Sequence, residues 1–327
     1  MNLKKGMSIK IIKPGIYSTV QDLGRTGYRS LGIGTGGVMD YFAASVANYL
    51  VGNDENKPVI EIHFPAAEIL FQTNTLISIT GGNFDAHINN EPVQMYQPYL
   101  IKKGSILFFK KHIAGARTYV AIHGGINVEN WLGSYSTHLK VRAGGFEGRL
   151  LQKEDVIPLN NPAVAVSSKK ISISPTVIDS VYDKQNALRC IAGPEWYLNS
   201  TASGNIFLQS VFTITNQSDR MGYRLAGDNL SLKIPTELIS SPVGFGTIQL
   251  LPNGQLIILM ADHQTTGGYP RIANVICADL PKLAQLPVNS TIHFQFVLPE
   301  QAEEMLISTH QIVTEIKNGC QKFYAAH

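Results

Sequence analysis

Short runs of β-branched and aromatic residues set the rhythm of this chain. Residues 9–12, 68–71, 76–80, 106–109, 118–122, 188–191, 212–215, 230–234, 256–260 and 291–297 are rich in Ile, Phe, Val and Thr. Clusters of Gly, Pro and Asn separate them, which is the punctuation of strands and turns. The pattern predicts a mostly β architecture of sandwich or barrel type with few short helices. Two segments carry the 3.6-residue period instead. Asp40 can cap a stretch in which Ala43, Val46, Ala47 and Leu50 share a face, with Gly52 as its stop. A second stretch begins at Pro299 and Glu300, carries Ala302, Met305, Leu306, Thr309, Val313 and Ile316, and is expected to stop at Gly319.

Composition narrows the function classes. The chain has 327 residues, 44% hydrophobic and 16% charged, enough apolar material for one large or two ordinary domains. A net charge of +3 with no basic run longer than a lysine pair argues against a nucleic-acid partner. Cys190, Cys277 and Cys320 form no C-x-x-C pair, which fits a reducing compartment and argues against structural zinc. No apolar run is long enough to span a bilayer, and no apolar segment follows Lys4 and Lys5, so the expected location is the cytoplasm with no membrane partner.

The small, polar stretch 160–176 reads as a linker, dividing the chain into halves at 1–160 and 161–327. An echo supports two related halves: Arg25-Thr26-Gly27-Tyr28-Arg29 is matched by Arg220-Met221-Gly222-Tyr223-Arg224. If extended, each string places two arginines and a glycine on one face, leaving a gap suited to a carboxylate or phosphate. Equally, each arginine can pair with an internal acid while the glycine marks a bulge.

The densest polar segment is Asp262-His263-Gln264-Thr265-Thr266-Gly267-Gly268-Tyr269-Pro270, delivered by the apolar run 256–260. A carboxylate, an imidazole, an amide and two hydroxyls beside a Gly-Gly pair exceed what a turn needs, and mark a candidate site with Asp262 as base or orienting group. The other eight histidines show no metal-ligand spacing, so no metal site is expected. There is no G-x-S-x-G nucleophile and no P-loop.

Four stretches carry a resemblance. PGIYSTVQDLGRTGYRSLGIGTGGVMDYFAASVANYLVGN (14–53), GSYSTHLKVRAGGFEGRLLQKEDVIPL (133–159), QSDRMGYRLAG (217–227) and DHQTTGGYPRIANVICADLPKLAQL (262–286) resemble, in order, the biotin-dependent-carboxyltransferase-like family. That family includes allophanate hydrolase subunit 2, the sporulation-kinase regulator partner KipA and the C-type subunit of 5-oxoprolinase. The resemblance implies a cyclophilin-like β-barrel fold, arranged as two related halves. It also implies partnership with two further 5-oxoprolinase proteins, a B-type one similar to allophanate hydrolase subunit 1 and an A-type one. Together they open 5-oxoproline to glutamate at the expense of ATP, with this chain inactive alone. ATP belongs to the complex, with no site identifiable in this chain, and no biotin-attachment segment is present. A regulatory protein antagonising a kinase inhibitor, and a carboxyltransferase half acting on urea- or allophanate-type amides, are the alternatives.

Family and residue chemistry meet on the same positions. Asp262, Arg220, Arg224 and Tyr223 are the expected catalytic residues; Gln21, Asp22, Arg25, Asp40, Gln264, Thr265, Thr266 and Tyr269 are expected to bind substrate. Two positions depart from the family pattern: His263 and Tyr135 stand where arginine is frequent, so an anion contact there is in doubt.

Overall fold

A computed structural model of the chain describes residues 7–160, 171–183, 185–234 and 238–326. Its residues fall into two compact units. Unit 1 comprises Met1–Arg25, Gly36–Ile178 and Ile312–His327, and unit 2 comprises Thr26–Thr35 and Asp179–Gln311. Thus Thr26–Thr35 and Ile312–His327 group with the unit on the far side of a single division at 160. Residues 161–170, the middle of the expected linker, lie outside the described residues, and Pro175–Val181 is a helix.

Unit 1 is built on two antiparallel sheets. Among the described residues one has six strands, in the order Val156–Pro158, Ser8–Lys13, Glu68–Phe71, Ile106–Phe109, Ala86–Ile88, Glu91–Pro92. The other has five: Ser18–Gln21, Val59–His63, Ala114–Ile122, Thr75–Asn83, Pro98–Ile101. Alternation puts Ile9 and Ile11 inward from the first sheet and Val20, Ile60, Ile62, Val120 and Ile122 from the second, into one apolar cluster. The helix Tyr41–Leu50 packs on the strands Ala114–Ile122 and Thr75–Asn83. Its facing residues Ala43, Ala44 and Ala47 are small, so the backbone comes close enough for sheet hydroxyls to reach it. Ser78 Oγ donates to Ala47 O at 2.6 Å and Thr80 Oγ1 to Ala43 O at 2.8 Å.

The helix starts where its chemistry demands. Asp40 is its N-cap, with extended φ/ψ and Oδ1 accepting the Ala43 N–H at 2.9 Å. At the other end of the chain the long helix runs Pro299–Ala325, six residues beyond the expected stop at Gly319. A single helical glycine costs only about 1 kcal/mol, and tertiary contacts past it outweigh that. Cys320 is buried, Tyr324 lies against Gly52 and donates its hydroxyl to Leu50 O at 2.5 Å. Although long, this helix carries too many polar residues to cross a membrane, and no described helix is apolar enough to do so.

Unit 2 is a closed barrel. Its described strands run Ala187–Ala192, Arg271–Val275, Thr247–Leu250, Leu256–Leu259, Gly222–Ala226, Phe212–Ile214 and Thr291–Phe296, the last pairing parallel with the first. Full closure leaves no edge to protect. The helix Thr201–Gln209 contributes Phe207, stacked on Phe294 with ring centroids 4.5 Å apart. The mostly β, barrel-containing fold is therefore the one expected. Residues 230–234 are the exception among the expected strands: Leu232 makes only an isolated bridge to Asn199. The N–H groups of Leu230 and Ser231 go instead to Gly254 O and Ser203 Oγ, which leaves no ladder to form.

The Asp40 cap gives a stability prediction. Asp40→Ala should lower unfolding free energy by about 1–2 kcal/mol in urea titrations, while Asp40→Asn, which keeps a capping oxygen, should lose much less. Equal loss in both variants would show that the cap is not what Asp40 contributes.

Candidate active site

Two polar clusters contain the residues expected from sequence, one in each unit. In unit 1 the strand Ser18–Gln21 delivers Gln21 and Asp22 to the loop 133–137. Asp22 is buried, and both of its carboxylate oxygens are engaged. Oδ1 accepts from Ser134 Oγ (2.6 Å), Ser136 Oγ (2.5 Å) and Gly24 N (2.9 Å), and Oδ2 accepts from Tyr135 N (2.6 Å). Arg25, also buried, donates from Nη2 to Ser136 O at 2.6 Å and lies 4.8 Å above the Trp131 ring. Gly144 and Gly145, both at positive φ, cover this loop. A Cβ on Gly145 would lie 1.9 Å from Thr137 Oγ1, and one on Gly144 2.4 Å from Ser136 O. Gln21 donates to Thr19 Oγ1 at 3.0 Å, while its Oε1 is buried without a hydrogen-bond partner.

Asp40 belongs to a neighbouring network. Its N–H donates to Tyr119 Oη (2.9 Å), which donates on to Glu61 Oε2 (2.8 Å); Met39 N reaches the same oxygen at 2.9 Å. Burial first, then the charges of Glu61 and Asp40, holds the Tyr119 phenol well above its ordinary range, so it stays a donor.

In unit 2, the apolar strand Leu256–Leu259 ends just before the loop 262–270, as its sequence suggested. Asp262 accepts from Arg220 Nε at 2.8 Å and Nη2 at 3.0 Å, and its own N–H donates to Arg220 O. Past the loop, Arg271 donates from Nε and Nη2 to the two oxygens of Glu195, at 2.8 and 2.6 Å. Between these forks Thr266–Gly267 pairs with Ser241–Pro242, and Gln249 Nε2 donates to Tyr269 O at 3.2 Å. The loop is pinned at entry, middle and exit. Gln264, Thr266 and Tyr269 are exposed and Thr265 is partly so. His263 is buried, with Nδ1 2.5 Å from Gln264 O, so that nitrogen carries the proton. Burial, opposed by that hydrogen bond, lowers the His263 pKa, and the charge of Arg29 lowers it further.

The two-arginine anion face does not form. The strand starts at Gly222; Arg220 precedes it and turns to Asp262, while Arg224 is exposed on the opposite face from buried Tyr223 and Leu225. The space at Gly222 is filled by Ile257, whose Cδ1 would lie 2.6 Å from an added Cβ. Tyr223 Oη donates to Leu286 O at 3.4 Å. Nor does the first string repeat the second: Gly27 has φ +91°, and Arg29–Leu31 is a 3-10 turn. Sequence reasoning passed over Ser134, Ser136, Glu61, Glu195 and Arg271, and named Arg29 only as half of the expected two-arginine face. Glu61 left a signal, a lone carboxylate inside the apolar run Val59–Ile62. Among the described residues no group of three or more His, Cys, Asp or Glu could hold a metal.

Residues 31–296 match the carboxyltransferase domain family, subdomains A and B, and the chain belongs to that family. The C-type subunit of 5-oxoprolinase from Escherichia coli is 41% identical over 286 residues, 88% of this chain and 90% of that protein. Its Haemophilus influenzae counterpart is 38% identical, covering 91% and 94%. The crystal structure of Kluyveromyces lactis urea amidolyase superposes with a TM-score of 0.88 at 28% identity; 95% of this chain is covered but only 20% of that longer one.

The exit fork has a pH signature. Its hydrogen bonds from Arg271 hold the Glu195 carboxyl below its ordinary value of 4.5, against the opposing effect of burial. A depressed folded-state pKa contributes stability above the unfolded value, which is lost as pH falls through the folded one. Wild type should therefore lose more urea resistance between pH 7 and about pH 3 than Glu195→Gln does. Parallel losses would mean that the fork contributes nothing to acid stability.

Proposed function

We propose that this chain is the C-type subunit of an ATP-dependent 5-oxoprolinase, converting 5-oxoproline to glutamate together with partners of A and B type. The support that carries most weight is the 41% identity with the Escherichia coli protein, spread over 88% of the chain. A second reading, a carboxyltransferase half acting on urea or a related amide, draws on the likeness to the yeast enzyme, but at only 28% identity. Three cysteines with no disulfide among them fit a cytoplasmic assembly.

The chemistry asked of such an assembly is demanding, because a lactam is stabilised by resonance. Transfer of the terminal phosphoryl group of ATP to its oxygen, with release of ADP, makes the ring carbon open to water. The C–N bond then breaks as the nitrogen takes a proton, and a second water hydrolyses the resulting acyl phosphate to the carboxylate and inorganic phosphate. In this reading Arg220 and Asp262 act together, fixing the loop and keeping a carboxylate where a proton can be relayed. Gln264, Thr265, Thr266 and Tyr269 meet the substrate, and Tyr223 supports the loop from inside the barrel. Asp22, Arg25 and Gln21 shape the corresponding surface of unit 1. This chain has no P-loop, and Arg220 and Arg271 are already tied to carboxylates, so the nucleotide is left to the assembled complex.

Two measurements test this. Co-expressed with its B-type partner, the chain should elute as one complex, and only the three proteins together should release glutamate in an ATP-dependent manner. Separate peaks at micromolar concentration, or full activity from this chain alone, would refute the subunit role. Within that assembly Asp262→Asn, which cannot keep both bonds to Arg220, should reduce turnover by about 10²-fold or more. Undiminished turnover in a stable variant would remove Asp262 from the machinery.

A further inference from the structure

Among the described residues, the arginines that fasten the pinned loop and barrel of unit 2 each hold an acid, and Arg29 differs from them. Asp262 is committed to Arg220, Glu195 to Arg271, and Asp279 to Arg189. Arg29 has none of them. Its Nη2 donates to the carbonyl of Val243, and among the described residues no carboxylate pairs with it. A guanidinium has five N–H donors in a planar fork, and one carbonyl neither neutralises it nor uses the fork up.

Where this cation sits matters more than its being unpaired. Val243 N donates to Thr265 O at 3.2 Å, and Pro242 pairs with Thr266, so the carbonyl that anchors Arg29 belongs to the ribbon that shapes the loop. The segment Thr26–Thr35 is seated closely on that loop: a Cβ on Gly34 would lie 3.1 Å from His263 O. His263, the buried imidazole, feels the charge of Arg29 and, being neutral or cationic, can bring no counter-charge to it. The result is a guanidinium anchored on the ribbon 241–243, whose backbone pairs with Thr265 and Thr266 of the loop. Arg29 is itself exposed, so the carbonyl holds the guanidinium in place while the rest of its fork stays open to a solute.

We propose that Arg29 receives the carboxylate of the small cyclic amide on which the assembly acts. This rests on the 5-oxoprolinase reading: 5-oxoproline carries one carboxylate, on the carbon next to the ring nitrogen. A fork-to-carboxylate pair fixes the plane and direction of the ring as well as holding its charge. The lactam is thereby presented to the loop in one orientation. Arg29 is then a binding and specificity residue: it selects 5-oxoproline over the same ring without a carboxylate.

The test uses the reconstituted three-protein system with wild type, Arg29→Ala and Arg29→Lys, with pyrrolidinone, the lactam lacking the carboxylate, as competitive inhibitor. Arg29→Ala should raise KM for 5-oxoproline by about 10²-fold while kcat falls far less, and Arg29→Lys should recover part of the loss. The inhibition constant of pyrrolidinone should not move. An unchanged KM in folded Arg29→Ala, or equal weakening of both ligands, overturns the proposal. Ligand-observed NMR on the chain and on its purified assembly separates this from the broader functional reading. Binding of 5-oxoproline that Arg29→Ala abolishes upholds the carboxylate site even if no glutamate is released, in which case only the 5-oxoprolinase reading falls. Should 5-oxoproline bind neither preparation, or should inorganic phosphate alone occupy the Arg29 site, the carboxylate assignment is wrong.

Discussion

A carboxylate taken out of water must be given back the hydrogen bonds it loses, and this constraint organises both units. Asp22 recovers them from two serine hydroxyls and two backbone amides, Glu61 from a tyrosine and an amide, and Asp262 and Glu195 each from an arginine fork. In every case at least one donor comes from a part of the chain far from the acid. The carboxylate therefore ties segments together: loop 133–137 to strand Ser18–Gln21, the start of helix Tyr41–Leu50 to strand Val59–His63, and the two ends of the loop 262–270 to the barrel. Removing one partner leaves the other stranded, which is why these pairs hold position more firmly than surface ion pairs do.

Much of the scaffold was legible from periodicity. Strand Ser8–Lys13 buries the face its spacing marks, helix Tyr41–Leu50 forms where its period placed it although it is buried on nearly every side, and Asp40 caps where an aspartate before an apolar stripe should. Local signals failed where distant partners decide. Gly319 did not end its helix because Tyr324 is anchored on Leu50, 274 residues away. Residues 230–234 are apolar enough for a strand, yet their amides find Gly254 and Ser203 first.

The candidate site shows the same split. The loop 262–270 stood out because its polar density exceeds what a turn requires, and a strand does deliver it. The partners that pin it were invisible, since Arg220 lies 42 residues from Asp262 and Glu195 76 from Arg271, separations that only barrel closure brings together. The matched R-x-G-Y-R strings misled for a related reason: similar short strings fold differently when one leads into a strand and the other crosses from unit 1, with Arg25, to unit 2, with Arg29. Chemistry was readable residue by residue; pairing was not.

The interleaved course of the chain has a consequence for how it is made. Residues 26–35 emerge from the ribosome early, yet belong to a barrel whose strands are synthesised more than 150 residues later. Unit 1 in turn gains Cys320 and Tyr324 only as the last turns of the final helix are translated. Neither unit can complete itself while the other is unmade, so vectorial, one-domain-at-a-time folding is closed to this protein. The same threading means that no single cut yields two self-sufficient pieces, and any rearrangement that exchanged one half would leave both with a missing strap.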